Sequence, residues 1–266
     1  MPMSGRIVTA FSLIVLALGL AGCGGGDGDE TTTFDTDTTI TNTETTETTT
    51  STASETTKLR VYFLLDGKVQ PVAREVAKTP AVGAAALDEL AAGPSASEED
   101  IGLTSDVASP LPPIVIEKGV ARLSGGSKLS PEGRAQVVYT LTQFPTVKAV
   151  EIDGKRYTRK SMEDFTPAIL VESPLPFATV SSPVRATGTA NTFEANFNYE
   201  LIDPAGKVID ENFVTATSGT GTRGTFDFTT KPYAGEAGEG ELVVLEFSAK
   251  DGSRIHEVRI PLQLEP

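Results

Sequence analysis

Glu194-Ala195-Asn196-Phe197-Asn198-Tyr199-Glu200-Leu201 alternates polar and apolar side chains without a break. Successive side chains of a strand point to opposite faces, so Ala195, Phe197, Tyr199 and Leu201 form a face to bury and the others a face for water. Similar short runs lie on both sides: Ile169 to Glu172, Val184 to Thr189, Val208 to Thr215, Thr225 to Thr229, Leu242 to Ala249 and Ile255 to Leu264. Turn signals separate them at Asp203-Pro204-Ala205-Gly206, Ser218 to Gly224, Tyr233 to Gly240 and Asp251-Gly252.

Short strands at this density predict an all-β, immunoglobulin-like sandwich over residues 166–266, without the cysteine pair and core tryptophan of antibody domains. Upstream, over residues 58–165, helical spacing appears. Leu59 to Leu65 reads as a buried strand ending at the turn Asp66-Gly67, with Val69 to Val76 as its neighbour. Thr79-Pro80 reads as a cap and first-turn proline for a helix over Ala81 to Ala92, whose apolar side is Val82, Ala86, Leu87 and Leu90 and whose stop is Gly93-Pro94. A hairpin follows, Ile114 to Ile116 and Val120 to Leu123 about Lys118-Gly119. Ser130-Pro131 opens a second helix carrying Val137, Val138, Leu141 and Phe144, Pro145 ends it, and Val147 to Ile152 closes the domain before Asp153-Gly154. The expected architecture is therefore an α+β domain, two helices on a small mixed sheet, followed by the sandwich.

Tyr62-Phe63, Leu90-Ala91-Ala92-Gly93-Pro94, Tyr139 to Pro145 and Val150 to Gly154 resemble, in order, the GerM domain of sporulation and germination proteins. That resemblance implies a compact module similar to the ring-building domains of secretion and sporulation complexes, with no catalytic residue to carry over. Ser173-Pro174, Ser182-Pro183, Gly188-Thr189-Ala190, Phe193-Glu194-Ala195 and Lys250-Asp251-Gly252 resemble the immunoglobulin-like domain of bacterial spore germination. It implies interaction within the envelope and no defined ligand. Polymerisation through the α+β domain, as in ring-building relatives, is left open because fold alone does not imply it.

The chain opens with Arg6 and a 15-residue apolar run, Ile7 to Ala21. That is too short to span a bilayer, which takes about 20 residues, and suits the core of a secretory signal. Leu20-Ala21-Gly22-Cys23 resembles the bacterial lipobox, and Cys23 is the sole cysteine. Residues 1–22 are thus expected to be a lipoprotein signal peptide, with lipid on Cys23 holding the protein to the extracytoplasmic face of the membrane; burying two acyl chains makes such an anchor durable. Residues 23–57 read as a disordered tether: 16 of the 27 residues from Thr31 to Thr57 are threonine, and only Phe34, Ile40 and Ala53 are apolar. As a flexible coil it would reach roughly 30 Å. Either a plain spacer or a glycosylated stalk fits this composition.

The formal charge is −14. Eight acids and no base fall between residues 27 and 57; setting these and Arg6 aside leaves 28 acids against 21 bases, about seven net negative charges from Lys58 onward. An acidic body without a basic stripe repels phosphate backbones, so nucleic acid is not expected as a partner. With His256 the only histidine, and the only cysteine assigned to lipid, the common zinc sites and the Cys-His or Ser-His-Asp nucleophiles do not assemble. Asp27 and Asp29 lack the full calcium-loop pattern. Gly219-Thr220-Gly221-Thr222-Arg223-Gly224 matches G-x-G-x-x-G but precedes a strand, so it reads as a hairpin loop. His256 shares parity with Val258, Ile260 and Leu262 and reads as a satisfied sheet residue. Glu98-Glu99-Asp100, Glu163-Asp164 and Asp210-Glu211 are the acids that a hydrolase reading would need, and they read as solvated faces on exposed loops.

No catalytic, cofactor-binding or metal-binding residue is expected. The functional expectation is a lipid-anchored, non-enzymatic envelope module that binds envelope or membrane proteins in sporulation, germination or envelope regulation. The alternative is a module that contacts cell-wall polysaccharide or peptidoglycan.

Overall fold

A computed structural model describes residues 55–125 and 128–265, which fall within one compact unit. Cys23 and most of the expected tether lie outside the described residues.

The first domain begins with β1 (Thr56–Leu65) and β2 (Lys68–Ala77), an antiparallel hairpin in register from Thr56↔Ala77 to Leu65↔Lys68. β1 starts at Thr56, inside the stretch that the composition assigns to the tether. Asp66 and Gly67, with φ of 50° and 73°, make the turn, because two positive φ values match the twist of the paired strands. Three helices follow in chain order with the remaining strands: α1 (Val82–Ala92), α2 (Ala96–Asp100), β3 (Ile114–Glu117), β4 (Val120–Leu123), α3 (Pro131–Leu141), β5 (Ala149–Ile152) and β6 (Lys155–Tyr157). Among the described residues β3, β4, β5 and β6 form a second sheet in that order, with β4 and β5 parallel. Lys118-Gly119 and Asp153-Gly154 repeat the positive-φ turn chemistry of the first hairpin.

α3 starts as its sequence dictates. Ser130 Oγ accepts the Gly133 N–H at 2.9 Å, and Pro131 occupies the first turn. α1 departs from expectation: its cap position is Ala81, with no side-chain cap, and Thr79 Oγ1 accepts the Ala81 N–H at 3.1 Å. The hydroxyl closes a turn ahead of the helix instead of capping it.

The contact between α3 and β1 explains why the first hairpin stands as its own sheet. β2 pairs one edge of β1; the other is bridged at Leu64 by Thr104 and otherwise covered by polar side chains of α3 and of the turn after it. Gln136 Nε2 donates to Tyr62 O at 3.1 Å, Thr140 Oγ1 accepts the Tyr62 N–H at 3.2 Å, and Gln143 Oε1 accepts the Arg60 N–H at 2.7 Å. Gln136 and Thr140, four apart, lie on one stripe of α3 and Gln143 follows in the turn after it, so that together they do the work of a neighbouring strand. Gln136 and Thr140 are accordingly buried beside Val137, Val138 and Leu141.

The second domain comprises β7 (Ile169–Ser173), β8 (Ala178–Ser181), β9 (Arg185–Ala190), β10 (Asn196–Ile202), β11 (Val208–Thr215), β12 (Gly224–Thr229), β13 (Gly238–Phe247) and β14 (Arg254–Glu265). One sheet runs β12-β9-β7 and the other β11-β10-β13-β14-β8. Phe197, Tyr199 and Leu201 of the opening octet are buried between them, with Phe197 edge-on to Phe226 at 4.9 Å and Tyr199 stacked on Phe228 at 4.5 Å. This is the expected α+β domain followed by an immunoglobulin-like sandwich. β8 escapes the pattern because its four residues, parallel to β14, bury no large side chain. β13 begins at Gly238, inside the stretch read as a turn. Gly240 is the reason: a Cβ there would lie 2.5 Å from Ile202 O, so the glycine permits a close strand approach.

Two loop readings change. Residues 219–224 do not close a hairpin, since β11 and β12 belong to different sheets and the segment crosses between them. His256 does not share the buried face of Val258. It adopts φ 53° at the bulge in β14, where two residues oppose Leu245 alone, and its ring is half exposed.

Candidate functional site

The strongest concentration of buried polar chemistry lies where the two domains meet. β7 is shared between cores: Ile169 and Val171 face the sandwich, while Leu170 packs in the core of the α+β domain. Alternation then sends Glu172 toward the first domain, where three residues converge on it. Arg159 Nη1 donates to Glu172 Oε1 at 2.6 Å, the Tyr62 hydroxyl donates to Oε2, and Arg60 Nη1 lies 3.8 Å from Oε2. Arg159 also donates from Nε to Thr142 Oγ1 at 3.0 Å and stands 4.6 Å from the Tyr139 ring centroid. Its position follows from the turn of 3₁₀ helix over Arg159–Phe165, which Thr158 and Ser161 cap reciprocally.

A second guanidinium repeats the arrangement from the other domain. Arg223, from the glycine-rich crossing, donates through Nε to both Glu163 oxygens at 3.0 and 3.1 Å and through Nη2 to Pro167 O at 2.8 Å. Gly219 holds that crossing against the neighbouring loop, since a Cβ there would lie 2.4 Å from Ala195 N. The motif that suggests a nucleotide loop therefore supports a domain clamp.

Electrostatics agree with a bracing role. Burial, with the Glu172 charge, pushes the Tyr62 hydroxyl far up, and burial pushes Tyr139 up, so both remain neutral donors. Burial would lower the Arg159 guanidinium, but Tyr62 and Glu172 outweigh it and raise it. Burial would raise Glu163, but hydrogen bonds from Arg223 and Asn191 dominate and lower it.

Two clefts flank these clamps. One of about 450 Å³ lies among Tyr139, Arg159, Lys160, Glu163, Thr189 and Arg223. A more open groove of about 860 Å³ runs over Arg60, Gln143, Thr187, Thr225 and Asp227. Their size is that of small-molecule sites. Most of the cations in them are already tied to Glu163 or Glu172.

Among the other candidate acids Glu98 and Asp210 are drawn into the fold, while Glu99, Asp100, Asp164 and Glu211 remain exposed as the sequence suggests. Glu98 is buried in α2, receives both Arg74 nitrogens at 2.6 and 2.7 Å and accepts the Ser95 N–H at 2.8 Å. Asp210 is buried in β11, where it accepts from Tyr199 at 2.6 Å and from the Lys231 N–H at 2.9 Å. Burial would raise both carboxyls, yet these bonds lower them, opposite to what a general acid needs. The candidate acids lie in three separate regions, and in each region one of them, Glu98, Glu163 or Asp210, has its own donors. His256 Nδ1 lies 2.9 Å from Glu246 Oε2, and Glu246 Oε1 accepts the Phe193 N–H, so this pair braces a loop. Among the described residues there is no cluster of three metal-ligating side chains. No helix among them is long and apolar enough to cross a membrane.

Comparison with known proteins finds a family likeness in each domain. Residues 60–158 match the family described as sporulation and spore germination, and residues 168–253 match the immunoglobulin-like domain of bacterial spore germination. Each segment thus resembles a domain of germination proteins. Part of the chain is similar to the GerMN domains of the sporulation protein GerM from Bacillus subtilis, at 28% identity over 38% of this chain and 39% of that one, with a TM-score of 0.33. It therefore spans about two fifths of that structure. CopC from Methylosinus trichosporium OB3b matches at 16% identity over 37% of this chain and 94% of that one, with a TM-score of 0.25. WR4, a C. elegans MSP family member, matches at 15% identity over 37% and 98%, with a TM-score of 0.22. No curated protein matches the tandem.

Proposed function

We propose that this chain is a lipid-anchored, non-enzymatic adaptor that binds other envelope proteins, in sporulation or germination, at the outer face of the membrane. One observation carries the interaction role: among the described residues β3 is a sheet edge paired only by β4, with Val115 56% and Ile116 42% exposed. Apolar edges of this kind are normally covered or blunted, and they accept strands from partners. A groove of about 410 Å³ between α1, β3 and the end of α3 continues the surface, with Ile114, Ile116 and Phe144 in its lining. Glu98, Glu163 and Asp210 are committed to clamps, which suits a rigid binding body.

The anchor and tether rest on the lipobox-like Leu20-Ala21-Gly22-Cys23 and the threonine-rich segment after it. Crosslinking and recovery of the full-length chain from its own membranes tests the reading. A specific envelope protein recovered with the native chain, and lost with Val115→Lys/Ile116→Lys, supports it; equal recovery with both overturns the assigned surface. Cys23→Ser should release the chain from membranes, and retention without lipid label would rule out the anchor.

A further inference from the structure

We infer that the outer face of the five-stranded sheet is a binding platform for a neutral polysaccharide, with Phe213 and Phe247 as its stacking rings. The register fixes their placement. Asn198 pairs with Phe213 on one side and Leu245 on the other, so these three share a face, opposite to that of core residues Tyr199 and Val244. Phe247 follows Leu245 by one side-chain period in a regular strand, because the extra residue of the bulge lies on β14. The two rings stand about 9.5 Å apart across β11, β10 and β13, two strand spacings, and are offset along the strands. Phe213 is 69% and Phe247 48% exposed. Phe193, 56% exposed, is tied by its N–H to the Glu246 side chain on the other face of β13 and stays outside the platform.

Charge and area select the occupant. The polar groups between the rings are uncharged: Asn196, whose Oδ1 accepts from Thr215, and Asn198, whose side chain makes no hydrogen bond among the described residues. The arginines on this face are already neutralised, Arg254, the cross-strand partner of Phe247, by Glu200 and Glu257, and Arg259 by Glu241 and Glu257. An anionic lipid surface thus meets ion-paired arginines here and a protein of net charge −14. If each ring offers about 200 Å², the exposed parts of Phe213 and Phe247 give roughly 230 Å², well short of the roughly 800 Å² per partner of a stable protein interface. A patch of that size is ordinary for a monomer surface and suits a small contact. Amide donors beside flat apolar rings suit a polyol with apolar ring faces, which a sugar chain presents.

The test is co-sedimentation of the detergent-solubilised full-length chain with purified cell-wall sacculi, with insoluble neutral β-glucan and with anionic vesicles as separate arms. Sedimentation with sacculi or glucan that persists at high salt is expected. Phe213→Ala and Phe247→Ala should each weaken it about three- to tenfold, from the roughly 0.5–1.5 kcal/mol that an aromatic contact adds. Phe213→Tyr, which keeps the ring, should bind as the native chain does, and unchanged unfolding midpoints exclude misfolding because both rings are exposed. No sedimentation with either glycan, binding only to vesicles, binding abolished by salt, or equal binding by the alanine variants would each overturn the proposal. This surface is separate from β3, so its failure leaves the adaptor reading standing.

Discussion

Arg159 and Glu172 meet at 2.6 Å across the domain boundary, and Glu172 is the outward neighbour of Val171, a residue of the sandwich core. The tandem is thus joined by a strand that belongs to both domains and by an ion pair at its end. Glu172 is 15% and Arg159 32% exposed at the side chain, a partly dry setting in which removing one partner leaves the other only its remaining contacts, Tyr62 and Arg60 for Glu172 and Tyr62 and Thr142 for Arg159. Glu172→Gln should lower stability by about 1.5–3 kcal/mol, the range for a charge-assisted bond. Arg159→Met with Glu172→Gln should cost less than the two single changes together, which urea unfolding in a double-mutant cycle would read. Additive losses would mean that the pair is not coupled.

Leu170 should test whether the domains unfold as one. It lies in the core of the α+β domain although its strand belongs to the sandwich, and it is 1% exposed. Leu170→Ala should cost about 2–5 kcal/mol, as buried leucine truncations do. Native unfolding followed by tyrosine fluorescence and by far-ultraviolet circular dichroism should give coincident transitions, and the variant should show them displaced or split. A native protein with two separated transitions would make the clamp dispensable.

Gly188 marks the closest approach inside the sandwich. A Cβ there would lie 2.1 Å from Leu170 O and 2.6 Å from Phe226 Cζ, contacts that backbone and a packed ring cannot relieve. Gly188→Ala should destabilise by about 1–3 kcal/mol through overpacking. At Gly235 a Cβ meets nothing within 4 Å, so Gly235→Ala should be close to neutral in the same thermal melt.

The pattern of the chain makes the strands of the sandwich legible because each buries alternate side chains, as Phe197, Tyr199 and Leu201 do. Positive-φ turns are legible for a local reason too: Asp66-Gly67, Lys118-Gly119 and Asp153-Gly154 each tolerate the conformation that a tight hairpin needs. The clamps are not. Arg159 and Tyr62 lie 97 positions apart, and no local spacing joins them or announces that Arg223 will meet Glu163. β8 is hidden for another reason, since Ala178-Thr179-Val180-Ser181 carries too little apolar surface to mark a strand before its parallel partner is known.

Acid should weaken the fold through the same carboxylates. Burial raises Glu98, but Arg74 and Ser95 hold it below the usual range. Its contribution is therefore complete above the ordinary unfolded value of about 4.3 and is lost as pH falls through the lower folded value. Glu163 and Asp210 carry the same sign. Urea midpoints should be level near neutrality and fall steeply below about pH 4. Glu98→Gln should lower the midpoint at pH 7 and flatten the acid limb, whereas an unchanged limb would show that Glu98 does not drive it.

Gln136 and Thr140 give the most direct test of α3 as a substitute strand. Together they satisfy the N–H and C=O of Tyr62 on the edge of β1 that β2 does not reach. Both side chains are fully buried, so no water is placed to replace them. Thr140→Val keeps the shape and removes the acceptor, leaving a buried N–H unpaired at a cost of about 1–3 kcal/mol. Gln136→Leu should cost at least as much, because it also removes the acceptor for the Asp106 N–H at 2.8 Å. Amide hydrogen exchange separates this from ordinary loss of packing. In Thr140→Val the Tyr62 amide should lose protection more than that of Val61, and equal losses at both would assign Thr140 to packing alone.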